Sequence, residues 1–134
     1  MNNNQIKITS KIKEAIQNNK PIVALESTLI SHGLPYPDNI SVANESIKAV
    51  EESGGIAATI GIINGIIKIG LDKDDIEILA STKNVEKVSL HNIALSLFNK
   101  KNAATTVAAT INIASKIGIK FFATGGIGGV HLDS

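Results

Sequence analysis

An acidic residue at the end of an apolar run is the most chemically suggestive feature of this sequence. Glu26 closes the run Pro21–Leu25 and is followed by two hydroxyl residues, Ser27 and Thr28. In open α/β sheets, ligands bind beyond the carboxyl ends of the strands. A carboxyl group at such a position can give a proton to a ligand or take one from it. The position also suits a structural acid that caps loop amides or pairs with a lysine, and position alone slightly favours this second interpretation.

Three further sites carry side chains that are able to bind or react. His32 suits a ligand, a base or a hydrogen-bonded loop residue, and no metal-binding spacing surrounds it. Lys87 interrupts an apolar strand, where it can either bind a phosphate or carboxylate or extend from an edge strand into solvent. The segment Thr105–Val107 opens a predicted helix, so its hydroxyls suit either a phosphate or ordinary N-capping.

A glycine-rich loop, GGIGGVH, covers residues 125–131 and follows the last predicted strand. His131 stands where a dinucleotide-binding fingerprint needs its third glycine, and the Gly-Lys-Ser/Thr of a P-loop is missing. Its glycines nevertheless allow the backbone to approach a ligand closely. Taken alone, the residues indicate a small anionic ligand near several strand ends.

Apolar periodicity predicts strands that alternate with helices, which indicates an α/β fold with a mostly parallel sheet covered on both faces. The dipeptide Asn64-Gly65 between two β-rich runs predicts one hairpin with a type I′ turn. Residues 27–38 are predicted as a long irregular loop, and Thr105–Lys116 as a single helix. The predicted strands are 21–26, 56–63, 66–69, 85–89 and 119–124.

Composition narrows the class of protein. The 134 residues are enough for one domain, and 43% of them are apolar, which favours a folded chain. A formal net charge of +1 predicts neither a nucleic-acid partner nor a membrane surface. The sequence holds no cysteine and no 18-residue apolar run, and its start lacks the apolar segment of a signal peptide. A cytoplasmic protein is the expectation.

Four segments in order resemble the pseudouridine-5′-phosphate glycosidase family, also called indigoidine synthase A-like. They are ALESTLISHGLPYP, ATIGIINGIIKIGL, KVS at 87–89 and NAATTVAATINIASKIGIKFFATGGIGGVH. The resemblance implies an α/β/α sandwich that assembles as a homotrimer and uses manganese. It also implies reversible cleavage of the C–C glycosidic bond of pseudouridine 5′-phosphate, which yields uracil and ribose 5-phosphate.

The resemblance assigns roles to three residues of this chain. Glu26 matches the proton donor of the ALEST motif. Lys87 matches a substrate-binding lysine, and Val107 matches a substrate-contacting valine. By this interpretation Glu26 ends its strand because the nucleobase carbon is protonated and deprotonated where the sheet meets the ligand.

Other parts of the family pattern are missing. The nucleophilic lysine and the metal-binding aspartate belong to a later family segment, so neither Lys116 nor Lys120 takes the first role, and Asp133 does not match the second. Leu90-His91-Asn92 replaces the usual Arg-Arg-Asp, which removes two cations. The expectation is therefore a truncated glycosidase domain over residues 1–134 that shows no turnover alone. The alternative is a non-catalytic remnant that at most binds a sugar phosphate.

Overall fold

Strands mostly alternate with helices along the chain, as the sequence predicts. The computed structural model describes residues 5–128. None of the helices in this range is long and apolar enough to cross a bilayer. The elements are β1 (Ile6–Ile8), α1 (Ser10–Gln17), β2 (Ile22–Leu25), α2 (Thr28–His32), α3 (Asp38–Glu52), β3 (Ile56–Ile63), β4 (Ile66–Ile69), α4 (Lys73–Ser81), β5 (Glu86–Val88), α5 (Ile93–Phe98), β6 (Ala103–Thr105), α6 (Val107–Lys116) and β7 (Phe121–Ala123).

The strands form one mixed sheet in which β3 is the central member. The path of hydrogen-bonded neighbours is β1-β4-β3-β2-β7, while β6 also pairs with β3 and carries β5 on its other side. The pairs β1–β4, β2–β3, β2–β7 and β5–β6 are parallel, and β3–β4 and β3–β6 are antiparallel. The predicted mostly parallel sheet is confirmed.

Helices cover both faces of the sheet, which makes the fold a three-layer sandwich. On one face, α1, α5 and α6 pack against side chains of β3 such as Ile60 and Ile62, both fully buried. On the other face, α2, α3 and α4 pack around Ile63. The β-branched residues that fill the strands pack well on a sheet covered from both sides. The α/β/α architecture is confirmed.

The predicted hairpin joins β3 to β4. Asn64 and Gly65 have φ values of 49° and 73°, the left-handed conformation that a type I′ turn requires at both central positions. The turn also lies against the end of α5. A Cβ atom at Gly65 would stand 2.6 Å from the carbonyl oxygen of Leu97, so the close approach excludes a side chain there.

Some elements differ from the sequence prediction. The region 27–38 is not wholly irregular, because it holds the five-residue helix α2, which has no side-chain cap. The predicted helix from Thr105 starts at Val107, since Thr105 ends β6 and Thr106 caps the helix by accepting the Ala109 N–H at 3.4 Å. Strands β1 and β6 were not predicted, because each is three residues long and lies outside the longer apolar runs that predicted the other strands. The last strand is shorter than predicted, and residues 129–131 of the glycine-rich loop and Asp133 lie outside the described range.

A capping box starts α4. The Asp72 carboxylate accepts the N–H of Asp75 at 2.9 Å, and the Asp75 carboxylate accepts the N–H of Asp72 at 3.2 Å. Asp75 is buried and also pairs with the ammonium group of Lys68. The backbone hydrogen bond from Asp75 is the main reason that the pKa of Asp72 lies below its ordinary value of 3.8.

We expect Asp72→Ala to lower the free energy of unfolding at pH 7 by about 1 kcal/mol, because it removes the N-cap acceptor. Asp72→Asn is the matched control, since asparagine caps about as well as aspartate. A group with a lowered native pKa stabilises the fold above its unfolded pKa, and this stabilisation is lost as the pH falls through the native value. Urea titrations should therefore show the cost of Asp72→Ala shrinking below pH 3.8. A cost that is constant with pH, or equal in both variants, would contradict this account of the cap.

Candidate active site

Two strands meet end to end beside β3. Strand β2 runs parallel to residues 56–59 of β3, and β6 runs antiparallel to residues 61–62. Because β4 occupies the other edge of β3 over residues 60–63, β2 and β6 share one edge. Their carboxyl ends consequently face each other opposite Ile60. The residues that follow the two strands are brought together, although they are far apart in the sequence.

Buried hydroxyl groups join the two strand ends. The N–H of Thr105 donates to Ser27 Oγ at 2.8 Å, and the N–H of Ser27 donates to the carbonyl oxygen of Thr105 at 3.3 Å. The Thr105 hydroxyl donates to the carbonyl oxygen of Ile60 at 2.7 Å and accepts from the Thr110 hydroxyl at 2.9 Å. Ser27, Thr105 and Thr110 are all fully buried. We call these three residues the hydroxyl junction.

The hydroxyl junction sets the relative positions of the three residues with implied roles. Glu26 directly precedes Ser27, and Val107 lies two residues beyond Thr105 at the start of α6. The N–H of Thr106 donates to the carbonyl oxygen of Val88 at 2.9 Å, which joins the end of β5 to the end of β6. We call the neighbouring carboxyl ends of β2, β5 and β6 the rim. Lys87 lies opposite Ala104 in the register of β5 and β6. The backbone positions of all three therefore lie around one rim of the sheet.

Glu26 is half-buried at the edge of a cavity. Its Oε1 accepts a hydrogen bond of 2.7 Å from the Thr124 hydroxyl at the end of β7. The cavity has a volume of about 500 Å³ and lies between α3 and the strands β2 and β7. Its lining is mostly small or apolar, with Leu25 and Ala123 on the sheet side and Ala43 and Ser46 on the α3 side. The hydrogen bond from Thr124 thus holds the carboxyl group at the edge of this cavity.

Lys87 does not share that cavity. Its side chain is exposed, and within residues 5–128 it makes no ion pair or hydrogen bond with Glu26. The Asn92 side chain fixes the turn after β5 by accepting from the N–H of Ser89 at 2.8 Å and donating to the carbonyl oxygen of Lys87 at 3.1 Å. Val107 is half-buried and also lies outside the cavity lining. The rim therefore gathers the three backbones while only Glu26 enters the cavity.

His32 lies in the last turn of α2 and is exposed. No group of three or more histidine or carboxylate side chains comes together anywhere between residues 5 and 128. The residues that the structure describes therefore do not fit a manganese site.

The sequence prediction missed two polar residues, Thr110 and Thr124. It also assigned no structural role to Ser27. Thr124 follows β7 as Glu26 follows β2, and the two strands are parallel neighbours. Residues after neighbouring parallel strands share an edge of the sheet, so strand order would have paired them. That order depends on contacts between distant parts of the chain, and the local sequence does not show it.

The fold and the site together define a three-layer α/β protein with a polar strand-end site beside an apolar cavity, an arrangement common among proteins that bind small molecules. The family model described as indigoidine synthase A like protein matches residues 11–134, and the chain belongs to this family.

Known relatives extend well beyond the matched segment. A pseudouridine-5′-phosphate glycosidase of Staphylococcus aureus is 52% identical over 126 residues, which are 94% of this chain and 41% of that protein. A protein of the same name from Petrotoga mobilis is 50% identical over 129 residues, or 96% of this chain and 42% of that protein. The prealnumycin C-glycosynthase AlnA, solved in complex with ribulose 5-phosphate, superposes with a TM-score of 0.83 at 41% identity and covers 94% of this chain and 40% of AlnA. The chain thus spans about two-fifths of the length of these relatives.

We expect Ser27→Ala to lower the free energy of unfolding by roughly 1–3 kcal/mol, because it leaves the buried N–H of Thr105 without its acceptor. The matched control is Ser46→Ala, whose hydroxyl is half-buried and donates to the carbonyl oxygen of Val42 in its own helix. That change should stay within about 0.5 kcal/mol of wild type. Urea denaturation of both variants measures the difference, and equal costs would mean that the hydroxyl junction is not important for stability.

Proposed function

We propose that this chain supplies the proton-donating acid and part of the substrate-binding surface of a pseudouridine-5′-phosphate glycosidase. The observation that carries the proposal is Glu26, a half-buried carboxyl group at a strand-end rim, held by Thr124 and facing a cavity. Relatives about 50% identical over nearly all of this chain bear the name of that enzyme. A strand-end carboxyl group beside a cavity can transfer a proton to or from a ligand that binds there.

The substrate class is a pentose 5-phosphate attached through carbon to a nucleobase. The complex of AlnA with ribulose 5-phosphate supports a sugar phosphate as the common ligand. In this chain, the exposed ammonium group of Lys87 and the amino end of the ten-residue helix α6 lie on one rim. A lysine and a helix N-terminus both attract phosphate. Lys87 and the backbone at Val107 are therefore assigned to the phosphate side.

The reaction requires Glu26 to deliver a proton to a carbon atom. Hydrolysis breaks the bond between the sugar carbon and the nucleobase carbon, so the base carbon gains a proton while the sugar carbon gains the oxygen of water. A carbon leaving group has no lone pair to protonate in advance, and the acid must deliver its proton to carbon. General acid catalysis of this kind contributes ~10² to 10⁴-fold. In the reverse direction the carboxylate takes that proton back.

The proposal extends to the whole enzyme in three respects: the family resemblance supports the metal and the oligomeric state, and the sequence composition supports the location. Manganese is its metal, held by ligands other than those described in this chain. The enzyme acts in the cytoplasm. It assembles as a homotrimer, and the exposed Leu95 and Phe98 on α5 offer an apolar surface for such contact.

In the first experiment, this chain replaces the matched segment of the Staphylococcus aureus relative. We expect the resulting chimera to be active. In that chimera, Glu26→Gln should lower kcat by ~10² to 10⁴-fold, since glutamine cannot give a proton to carbon. Uracil released from pseudouridine 5′-phosphate, separated by chromatography, measures the rate. A soluble, folded chimera without activity, or one that keeps its rate after Glu26→Gln, would refute the assignment.

A second candidate function is sugar-phosphate binding by this chain without turnover. The specific observation in its favour is that Lys87 stays apart from Glu26 and pairs with no described acidic residue, so it is available to an anion. We expect ribose 5-phosphate to shift the backbone amide resonances around Lys87 and Val107. Lys87→Ala should weaken that binding roughly ten- to hundredfold, the effect of a hydrogen bond to a charged group.

The matched control for this binding experiment is Lys83→Ala, which removes an exposed lysine from the loop before β5. Its affinity for ribose 5-phosphate should equal that of the wild type. Equal losses in the two variants would show that binding follows net charge rather than a site at the rim.

A further inference from the structure

Thr124 and Glu26 occupy equivalent positions on neighbouring strands. Strands β2 and β7 are parallel, with Leu25 opposite Ala123, so Glu26 and Thr124 form the next pair beyond the sheet. Successive side chains of a strand alternate between faces, and equivalent positions of parallel neighbours share a face. This placement allows the Thr124 hydroxyl to reach Oε1 of Glu26 at 2.7 Å.

The Thr124 hydroxyl has more possible partners than it can serve at once. Besides Glu26, its Oγ1 lies 3.1 Å from the carbonyl oxygen of Gly126 and accepts the N–H of Gly126 at 3.3 Å. A hydroxyl group has a single proton, so it donates either to Glu26 or to Gly126. An ionised carboxylate is the stronger acceptor, and the shorter distance to Glu26 agrees with that choice.

The choice reverses when Glu26 carries a proton. A protonated carboxyl group has an O–H that can donate to Thr124 Oγ1, which leaves the Thr124 proton free to point at the carbonyl oxygen of Gly126. Each oxygen keeps its own proton in this rearrangement, and only the direction of the hydrogen bonds changes. The same heavy-atom positions can therefore hold the acid in both of its states.

We propose that Thr124 is a positioning residue for Glu26, and that its hydroxyl links the protonation state of the acid to the backbone of Gly126. The significance of the two states rests on the proposed function, because only a proton-transferring Glu26 passes through both during a reaction. The contact and the competition between its two acceptors are properties of this chain and can be tested without turnover.

The test is NMR spectroscopy of the labelled chain in four variants. In Thr124→Val, a substitution of similar shape without a hydroxyl, the single side-chain rotamer of Glu26 should give way to averaging over the staggered rotamers. Thr124→Ser should restore the single rotamer. In Glu26→Met the carboxylate acceptor is gone, so the Thr124 proton should turn to Gly126 and shift the Gly126 carbonyl carbon downfield. Ser53→Ala removes another hydroxyl of the same cavity, which donates to the carbonyl oxygen of Val50, and should leave both signals unchanged.

The outcomes separate this proposal from the function on which it rests. Unchanged Glu26 rotamers in Thr124→Val, or an unmoved Gly126 carbonyl carbon in Glu26→Met, would overturn the positioning role. If Thr124→Val did not fold, the Gly126 signal in Glu26→Met would decide the question alone. An inactive chimera combined with the expected NMR changes would reject the glycosidase assignment and leave the positioning role of Thr124 in place.

Discussion

The arrangement of the site depends on the bond between Ser27 and Thr105. Strands β2 and β6 lie on the same edge of β3 and point at each other, so neither can continue a regular ladder past Ile60. The backbone groups at the meeting point would be buried without partners, at a cost of about 1–3 kcal/mol each. Ser27 and Thr105 bond reciprocally through backbone and side chain and so remove that cost. Thr28 completes the junction by donating to the same carbonyl oxygen of Thr105 at 2.9 Å.

The close approach at the hydroxyl junction has a steric requirement in β3. A Cβ atom at Gly61 would lie 3.0 Å from Cδ1 of Leu79 and 3.3 Å from Oγ of Ser27. Glycine is thus the residue that lets α4 and the junction approach the same point of the sheet. The hydroxyl junction beside Glu26 is therefore packed against the adjacent helix layer as well as against the sheet.

Local signals explain which elements could be predicted from the sequence. The Asn64-Gly65 turn was predicted because its determinants are the two turn residues themselves and the β-rich runs directly beside them. Strand β6 was missed because Ala-Ala-Thr has no β-branched residue before Thr105, and its strand conformation comes from pairing with β3 and β5. Helix α2 was missed because it is short and has no side-chain cap. In both cases tertiary contacts decided the structure where propensity was weak.

The candidate site divides in the same way. The residue types of Glu26, Lys87 and Val107 and their motifs can be read from the sequence, and the structure places their backbones on one rim. Their roles stay predictions, since no contact joins them within the described residues. The partner of Glu26 was not foreseen, because Thr124 is 98 residues away and becomes its neighbour only when β7 adds to β2.

The separation of Glu26 from Lys87 is itself consistent with the chemistry proposed. A lysine paired with the acid would favour the ionised carboxylate and oppose delivery of a proton. A neutral hydroxyl partner orients the carboxyl group and accepts either of its protonation states, because it can both donate and accept. Lys87 remains exposed on β5, where its charge is available to a phosphate. In the proposed function, anion binding therefore belongs to β5 and proton transfer to β2. The hydroxyl junction joins β2 to β6, and β6 pairs with β5.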